Sequence, residues 1–104
     1  MNKYGSVRTW SELCQRTFSS KLEARRGEEL ALMERGGLIK DLRYQVKFVL
    51  SEKPKVTLTI DFSYWEGGEW KLEDTKGVLT RDCRTKLAWL KEKTGKSVIL
   101  SGGA

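Results

Sequence analysis

The sequence predicts an α/β fold, a mixed sheet flanked by helices in the order α-β-β-β-α-β. Three observations predict it. Ser20-Lys21-Leu22-Glu23 opens a helical pattern that Gly36-Gly37 closes. Leu42 to Leu50 and Val56 to Trp65 alternate apolar and polar residues with the period of two that a half-buried strand imposes. A second helical pattern, Arg81 to Lys93, then separates a third strand from the apolar run Val98-Ile99-Leu100, which is the spacing of a crossover to a parallel strand.

Met1 to Thr17 shows no sustained period and carries Lys3, Arg8 and Arg16; it is expected to be an N-terminal arm or irregular lead-in with some extended structure. Residues 18–104 are expected to form a single domain, since a chain of 104 residues supports one modest core. Ser20 and Glu23 stand at the spacing of a capping box, in which hydroxyl and carboxylate satisfy orphan N–H groups at a helix start. The helix runs to Arg35 with Leu22, Leu30 and Met33 on one face. In the first strand Tyr44, Val46, Phe48 and Leu50 alternate with Arg43, Gln45 and Lys47, and Lys53-Pro54-Lys55 makes the turn. Val56, Leu58, Ile60, Phe62 and Tyr64 form the apolar face of the second strand. Glu66-Gly67-Gly68-Glu69 supplies two glycines where a tight hairpin needs positive φ, and Trp70 to Lys76 is the third strand. Gly77 breaks it, Thr80 is placed to cap the second helix, and Cys83, Leu87 and Leu90 face inward. Gly95 ends that helix, and Val98-Ile99-Leu100 reads as a short, fully buried strand.

The composition excludes several chemistries. With no histidine there is no Ser-His-Asp triad, no Cys-His pair, no HExxH metalloprotease and no Cys₂His₂ zinc site. Catalysis would have to use carboxylates, lysines, hydroxyls or a metal held by oxygen. Cys14 and Cys83 form neither a CxxC motif nor a disulfide framework, so a reducing, cytoplasmic setting is expected. No run of about 18 apolar residues is present, and no membrane association is expected. Twenty Lys and Arg against 14 Asp and Glu give a net charge of +6, which favours a polyanionic partner through release of condensed counterions.

If Gly67 and Gly68 are the two loop residues, Asp61 stands directly opposite Asp74. Thr59, Asp61 and Ser63 then share a face with Lys76, Asp74 and Leu72. Opposed carboxylates destabilise a strand pair, and a divalent cation between them would offset the repulsion. Lys76, beside the pair, could orient or deprotonate an attacking water or stabilise charge developing on a phosphate. The alternative is a solvated polar sheet face on which Lys76 neutralises the two acids.

Asp61, followed by Asp74-Thr75-Lys76 at the end of the next strand, is similar to the signature of the PD-(D/E)XK nuclease superfamily, and the inferred element order matches its restriction-endonuclease-like core. Phe18 to Ala24, Gly37 with Ile39 and Leu42, Gln45 with Phe48, Asp61-Phe62, Glu73-Asp74-Thr75-Lys76-Gly77, Thr80 and Lys86 resemble a family of small phage-encoded members. The resemblance covers roughly Phe18 to Leu90. The proline of the signature is Ile60 here, and the second acid is Asp rather than Glu.

The resemblance implies Mg²⁺- or Mn²⁺-dependent hydrolysis of DNA. Asp61 and Asp74 would bind the metal, Glu23 on the first helix would complete the site, and Lys76 would position or activate the water. Glu73 competes with Asp74 for the ligand role, but in a regular strand it points to the opposite face. Arg25, Arg26, Gln45, Arg81, Arg84 and Lys86 are candidates for holding flanking phosphates, although helices carry solvated Lys and Arg in any case. So short a chain would act as a homodimer, whose paired sites suit branched or Holliday-junction DNA, in the cytoplasm of a phage-infected host. Two other readings stay open at this point. One is a non-catalytic nucleic-acid-binding protein with a vestigial site, or a small basic RNA-binding protein; the other is a module that binds a partner protein through Trp65 and Trp70, which should face each other beside the turn, where they could equally cover the open end of the sheet, pack against a second subunit or stack on a splayed base.

Overall fold

The computed structural model describes residues 7–75 and 79–101. Met1, Lys3, Lys76 and Gly77 lie outside the described residues. Eight elements follow one another: β1 (Thr9–Ser11), β2 (Arg16–Phe18), α1 (Lys21–Arg35), β3 (Lys40–Glu52), β4 (Lys55–Glu66), β5 (Glu69–Thr75), α2 (Arg81–Thr94) and β6 (Val98–Ser101). The main sheet has the order β3-β4-β5-β6, antiparallel throughout except that β6 runs parallel to β5. It is a mixed four-stranded sheet with two helices, and α2 is the crossover. No helix among the described residues is long and apolar enough to cross a membrane.

Local chemistry accounts for the helix ends. The Ser20 hydroxyl accepts the Glu23 N–H at 3.0 Å, and the Thr80 hydroxyl accepts the Cys83 N–H at 3.1 Å. Past Gly36, Gly37 takes φ +81°; its N–H reaches the Glu34 carbonyl at 3.1 Å and the Leu38 N–H reaches that of Met33 at 2.9 Å. These two bonds make a Schellman motif, which satisfies carbonyls the last turn leaves open. Two short strands lie between residues 9 and 18. β1 and β2 pair antiparallel, Ser11 is buried with its hydroxyl on Glu28 at 2.6 Å, and Phe18 enters the core.

Two cores form on opposite faces of the sheet. Phe62 stands opposite Glu73 in the β4–β5 ladder, so the two share a face, while Leu72 lies on the other. Against α1, Phe18, Ala24, Leu30, Ile39, Phe62 and Tyr64 pack with the partly buried Met33, Leu42 and Tyr44. Against α2, Leu50, Ile60, Leu72 and Leu90 pack with Phe48, Val56, Leu58, Trp70 and Leu87.

Ile60 and Phe62 have the same parity on one strand and yet join opposite cores, as do Phe48 and Tyr44 on β3. The alternation expected through Thr59, Asp61 and Ser63 is therefore broken. The sheet changes faces at Asp61 and at Gln45, and Gln45 takes the left-handed backbone, φ +52°. This corner folds the outer half of the β3–β4 hairpin over the α2 side. Phe48, whose ladder partner is Leu58, comes within 6.2 Å of Trp70, whose partner is Trp65.

One strand departs from expectation. β6 is an edge strand rather than a buried one, with Ile99 43 % and Leu100 45 % exposed. Its apolar run reflects pairing to β5 along one side, with no further strand beyond it among the described residues.

Gly27 marks the closest approach of α1 to the core. A Cβ there would meet Phe18 Cζ at 2.7 Å, and the Phe18 ring is buried. In an open helix Gly→Ala stabilises by up to about 1 kcal/mol. Here Gly27→Ala is expected to destabilise by about 1–3 kcal/mol through overpacking, read as a lowered denaturation midpoint in urea.

Candidate active site

The β4–β5 ladder continues from the hairpin turn as far as Phe62 and Glu73, in the register that the glycine pair at the turn predicts. One residue further, at Asp61 and Asp74, side chains replace the backbone partners. The Asp61 N–H donates to Asp74 Oδ1 at 2.8 Å. Asp61 Oδ2 accepts both the Thr75 N–H and the Thr75 hydroxyl at 2.9 Å. β5 meanwhile pairs with β6 on its other side, Asp74 beside Leu100 and Thr75 beside Ser101. The two carboxylates are thus adjacent at the point where the strands part, each taking an amide from the opposite strand. The repulsion expected of a directly opposed pair is offset in part by these donors.

Helix α1 and strand β3 add two more side chains. Glu23, buried in the first turn of α1, accepts the Ser19 hydroxyl at 2.5 Å and the Gln45 amide at 2.9 Å. Only half of the predicted capping box forms, because this carboxylate turns inward to those partners. Gln45 Nε2 also lies 3.4 Å from Asp61 Oδ1, so one amide spans the helix carboxylate and the strand carboxylate. Burial pushes the Glu23 carboxyl above the usual range; the Ser19 hydrogen bond pulls it down and the charge of Asp61 pushes it further up.

Glu73 belongs to a separate, closed network on the α1 face. Its carboxylate receives Arg26 through two nitrogens, at 2.5 and 3.0 Å, and the Tyr64 hydroxyl at 2.6 Å. Burial alone would raise the Glu73 carboxyl, but Arg26 and Tyr64 outweigh it and hold the group below its usual range. These contacts give Glu73 a structural role and leave Asp74 as the acid of β5 that meets Asp61.

The other sequence-predicted residues are dispersed. Arg26 is engaged by Glu73 and by Glu29 at 3.1 Å, so it neutralises a buried acid instead of facing outward. Gln45 turns toward Glu23 and Asp61 rather than toward a phosphate. Lys86 pairs with Asp82 one turn earlier on α2, at 3.5 Å. Arg25, Arg81 and Arg84 are exposed. Ser19, Thr75 and Arg16 were not anticipated. Thr75 sits inside the Asp74-Thr75-Lys76 run, where its hydroxyl could have been read as a second-strand donor; Ser19 had no signal beyond its place before the cap. Arg16, on β2, lays its guanidinium over the Tyr44 ring at 4.4 Å and lowers the proton affinity of Glu23.

Among the described residues no three His, Cys, Asp or Glu side chains converge closely enough to hold a metal ion. Asp61 and Asp74 offer only hard oxygen donors. That fits Mg²⁺ or Mn²⁺, since Mg²⁺ commonly takes one or two protein carboxylates and keeps several waters. Glu23 reaches this pair only through the amide of Gln45.

Two outcomes follow from these environments. Replacing Arg26 by Met strands the Glu73 carboxylate in the core and should cost about 3–5 kcal/mol at pH 7. Because the folded Glu73 titrates below the 4.5 of an unperturbed glutamate, the stabilisation by the pair is complete above pH 4.5 and is lost as pH falls through the folded value. Urea titrations should therefore show the gap between wild type and Arg26→Met narrowing in acid. Glu23→Gln, by contrast, removes a charge that burial penalises. Its melting temperature at pH 7 should equal or exceed that of wild type by no more than about 4 °C.

No characterised protein and no solved structure shows significant similarity to the sequence. A family model described as "Protein of unknown function (DUF1064)" matches residues 1–98, nearly the whole chain. The chain belongs to the DUF1064 family.

Proposed function

We propose that this protein is a divalent-metal-dependent DNA endonuclease of the PD-(D/E)XK kind, acting on branched DNA such as a Holliday junction. The observation that carries the reading is the opening of the β4–β5 ladder at Asp61 and Asp74, with the buried Glu23 linked to Asp61 by Gln45. The element order supports it, as does the return of β6 parallel to β5 after α2. The restriction-endonuclease-like core, the phage origin and the host-cytoplasm setting belong to the same proposal.

Asp61 and Asp74 would hold Mg²⁺ or Mn²⁺. The bound ion supplies Lewis-acid polarisation of the phosphate and acidification of a water. The Thr75 N–H and hydroxyl fix the Asp61 carboxylate, and the Asp61 N–H fixes that of Asp74, so neither needs to reorganise when the substrate arrives. Glu23, held by Ser19 and Gln45, would orient the Gln45 amide beside Asp61, and burial favours a proton on its carboxyl. Lys76, two residues beyond Asp74 in the sequence, takes the role of positioning or deprotonating the water. The exposed Arg25, Arg81 and Arg84 supply phosphate contacts, and a homodimer would place two such sites on one junction.

A second reading, a DNA-binding protein whose acidic site no longer cuts, draws on one observation. The amides and the hydroxyl already neutralise the Asp61–Asp74 pair in part, and Glu23 stands outside it.

Incubation of end-labelled four-way, flap and linear DNA with Mg²⁺, Mn²⁺ or EDTA decides between them. Metal-dependent cleavage that falls about 10²- to 10⁴-fold in Lys76→Ala, and at least as far in Asp74→Ala, is the expected result. Cleavage that survives either substitution overturns the assigned roles. DNA binding with no cleavage in any metal leaves the second reading.

A further inference from the structure

An open cavity of about 550 Å³ lies at the hairpin end of the sheet, between the connection from α1 to β3 and the turn from β4 to β5. Leu38, Lys40, Asp41, Trp65, Gly67 and Gly68 are among the residues that line it. Gly67 and Gly68 hold the turn with φ of +62° and +80°, the left-handed pair that a two-residue hairpin requires. Trp65 is 44 % exposed and Leu38 65 % exposed, so the cavity presents an indole and an aliphatic side chain to solvent. The two tryptophans that face each other across the ladder have opposite fates. Trp70 packs into the second core beside Phe48, which fixes the strand pair from below, while Trp65 has no role in either core.

The charges around the cavity are arranged unevenly. Asp41 is engaged by Arg43 at 3.3 Å, and Glu66 by Lys71 at 3.0 Å. Lys40, the ladder neighbour of Trp65, makes no ion pair among the described residues. The cavity therefore joins one large aromatic face to one available cation.

We propose that this cavity binds an unpaired base of single-stranded DNA, stacked on Trp65, with Lys40 at the adjoining phosphate. A flat, neutral ring flanked by a single anionic group matches that combination, and each base stacked on an aromatic side chain is worth about 1–3 kcal/mol. In a duplex the base faces are covered by their neighbours, so the site selects DNA with an unpaired or splayed nucleotide. Trp65 lies four residues along β4 from Asp61, about 13 Å at the rise of a strand, which equals roughly four stacked base steps. The base site thus deepens the proposed function by naming its substrate as DNA that is single-stranded near the cleavage point. It takes from that reading only that the polymer is DNA.

Binding is measured in EDTA by fluorescence anisotropy, with labelled oligothymidylate and an abasic deoxyribose-phosphate oligomer of equal length, so that cleavage plays no part. Wild type should bind the thymidylate more tightly than the abasic oligomer. Trp65→Ala should weaken thymidylate binding about 5- to 100-fold and leave abasic binding unchanged. Trp65→Phe should recover most of the loss, and Lys40→Gln should weaken both probes. Equal affinity of the wild type for the two probes overturns the proposal, as does a Trp65→Ala protein with wild-type affinity for thymidylate or a Trp65→Phe protein as weak as Trp65→Ala. Should the thymidylate preference hold while no DNA is cut in Mg²⁺ or Mn²⁺, the nuclease reading fails and the base site stands.

Discussion

The exchange of hydrogen bonds between Asp61 and the end of β5 is the constraint on which the rest of the molecule depends. A regular antiparallel ladder would continue past Phe62 and Glu73 with backbone pairs alone. Instead the Asp74 carboxylate takes the Asp61 amide and the Asp61 carboxylate takes the Thr75 amide, so these two backbone donors keep partners where the strands part. The parting frees β5 to continue its pairing with β6 on one side. It also places the face switch of β4 at Asp61, opposite the left-handed Gln45 of β3. One short acidic residue on β4 therefore ends a ladder, turns a corner and presents a carboxylate.

The corner divides the hydrophobic residues into two modest cores, one under each helix, where a flat sheet would bury one face and expose the other. Ile60 and Phe62, two residues apart, are both fully buried because they face opposite ways. Two carboxylates are buried on the α1 side, and each is treated differently. Glu73 is locked by Arg26 and Tyr64 into an ion pair with no spare capacity, while Glu23 keeps a raised proton affinity beside Asp61. The two carboxyl groups are thus pushed in opposite directions, Glu23 up by burial and Glu73 down by its donors.

Much of the fold was legible in the sequence because the signals were local. The cap at Ser20, the Gly36-Gly37 ending, the Gly67-Gly68 turn and the cap at Thr80 each depend on a few adjacent residues, and all four stand where the pattern places them. The register across the hairpin follows from the turn length, so the meeting of Asp61 with Asp74 was legible too. The face switch was not: a period of two continues through Thr59, Asp61 and Ser63 in sequence, and nothing in that alternation announces a left-handed Gln45 on the neighbouring strand. The exposure of β6 was hidden for a similar reason, since Val98-Ile99-Leu100 carries the composition of a buried strand and only the sheet order reveals an edge. The engagement of Arg26 depends on the long-range approach of α1 to β5, which no local spacing encodes.

The cations of the chain divide between those that hold an acid and those left on the surface. Arg26 and Lys71 are bound to carboxylates at around a third exposed, and Lys86 and Arg43 have partners of their own. Arg26 is paired with the fully buried Glu73, whereas Asp41, Glu66 and Asp82, the partners of Arg43, Lys71 and Lys86, are 39–79 % exposed, and Arg25, Arg81 and Arg84 lie exposed on the helices. On the reading proposed above, each phosphate held by such a cation contributes separately to the salt dependence of binding. The exposed indole of Trp65, at the hairpin end of β4, is a group able to add contacts that salt does not screen.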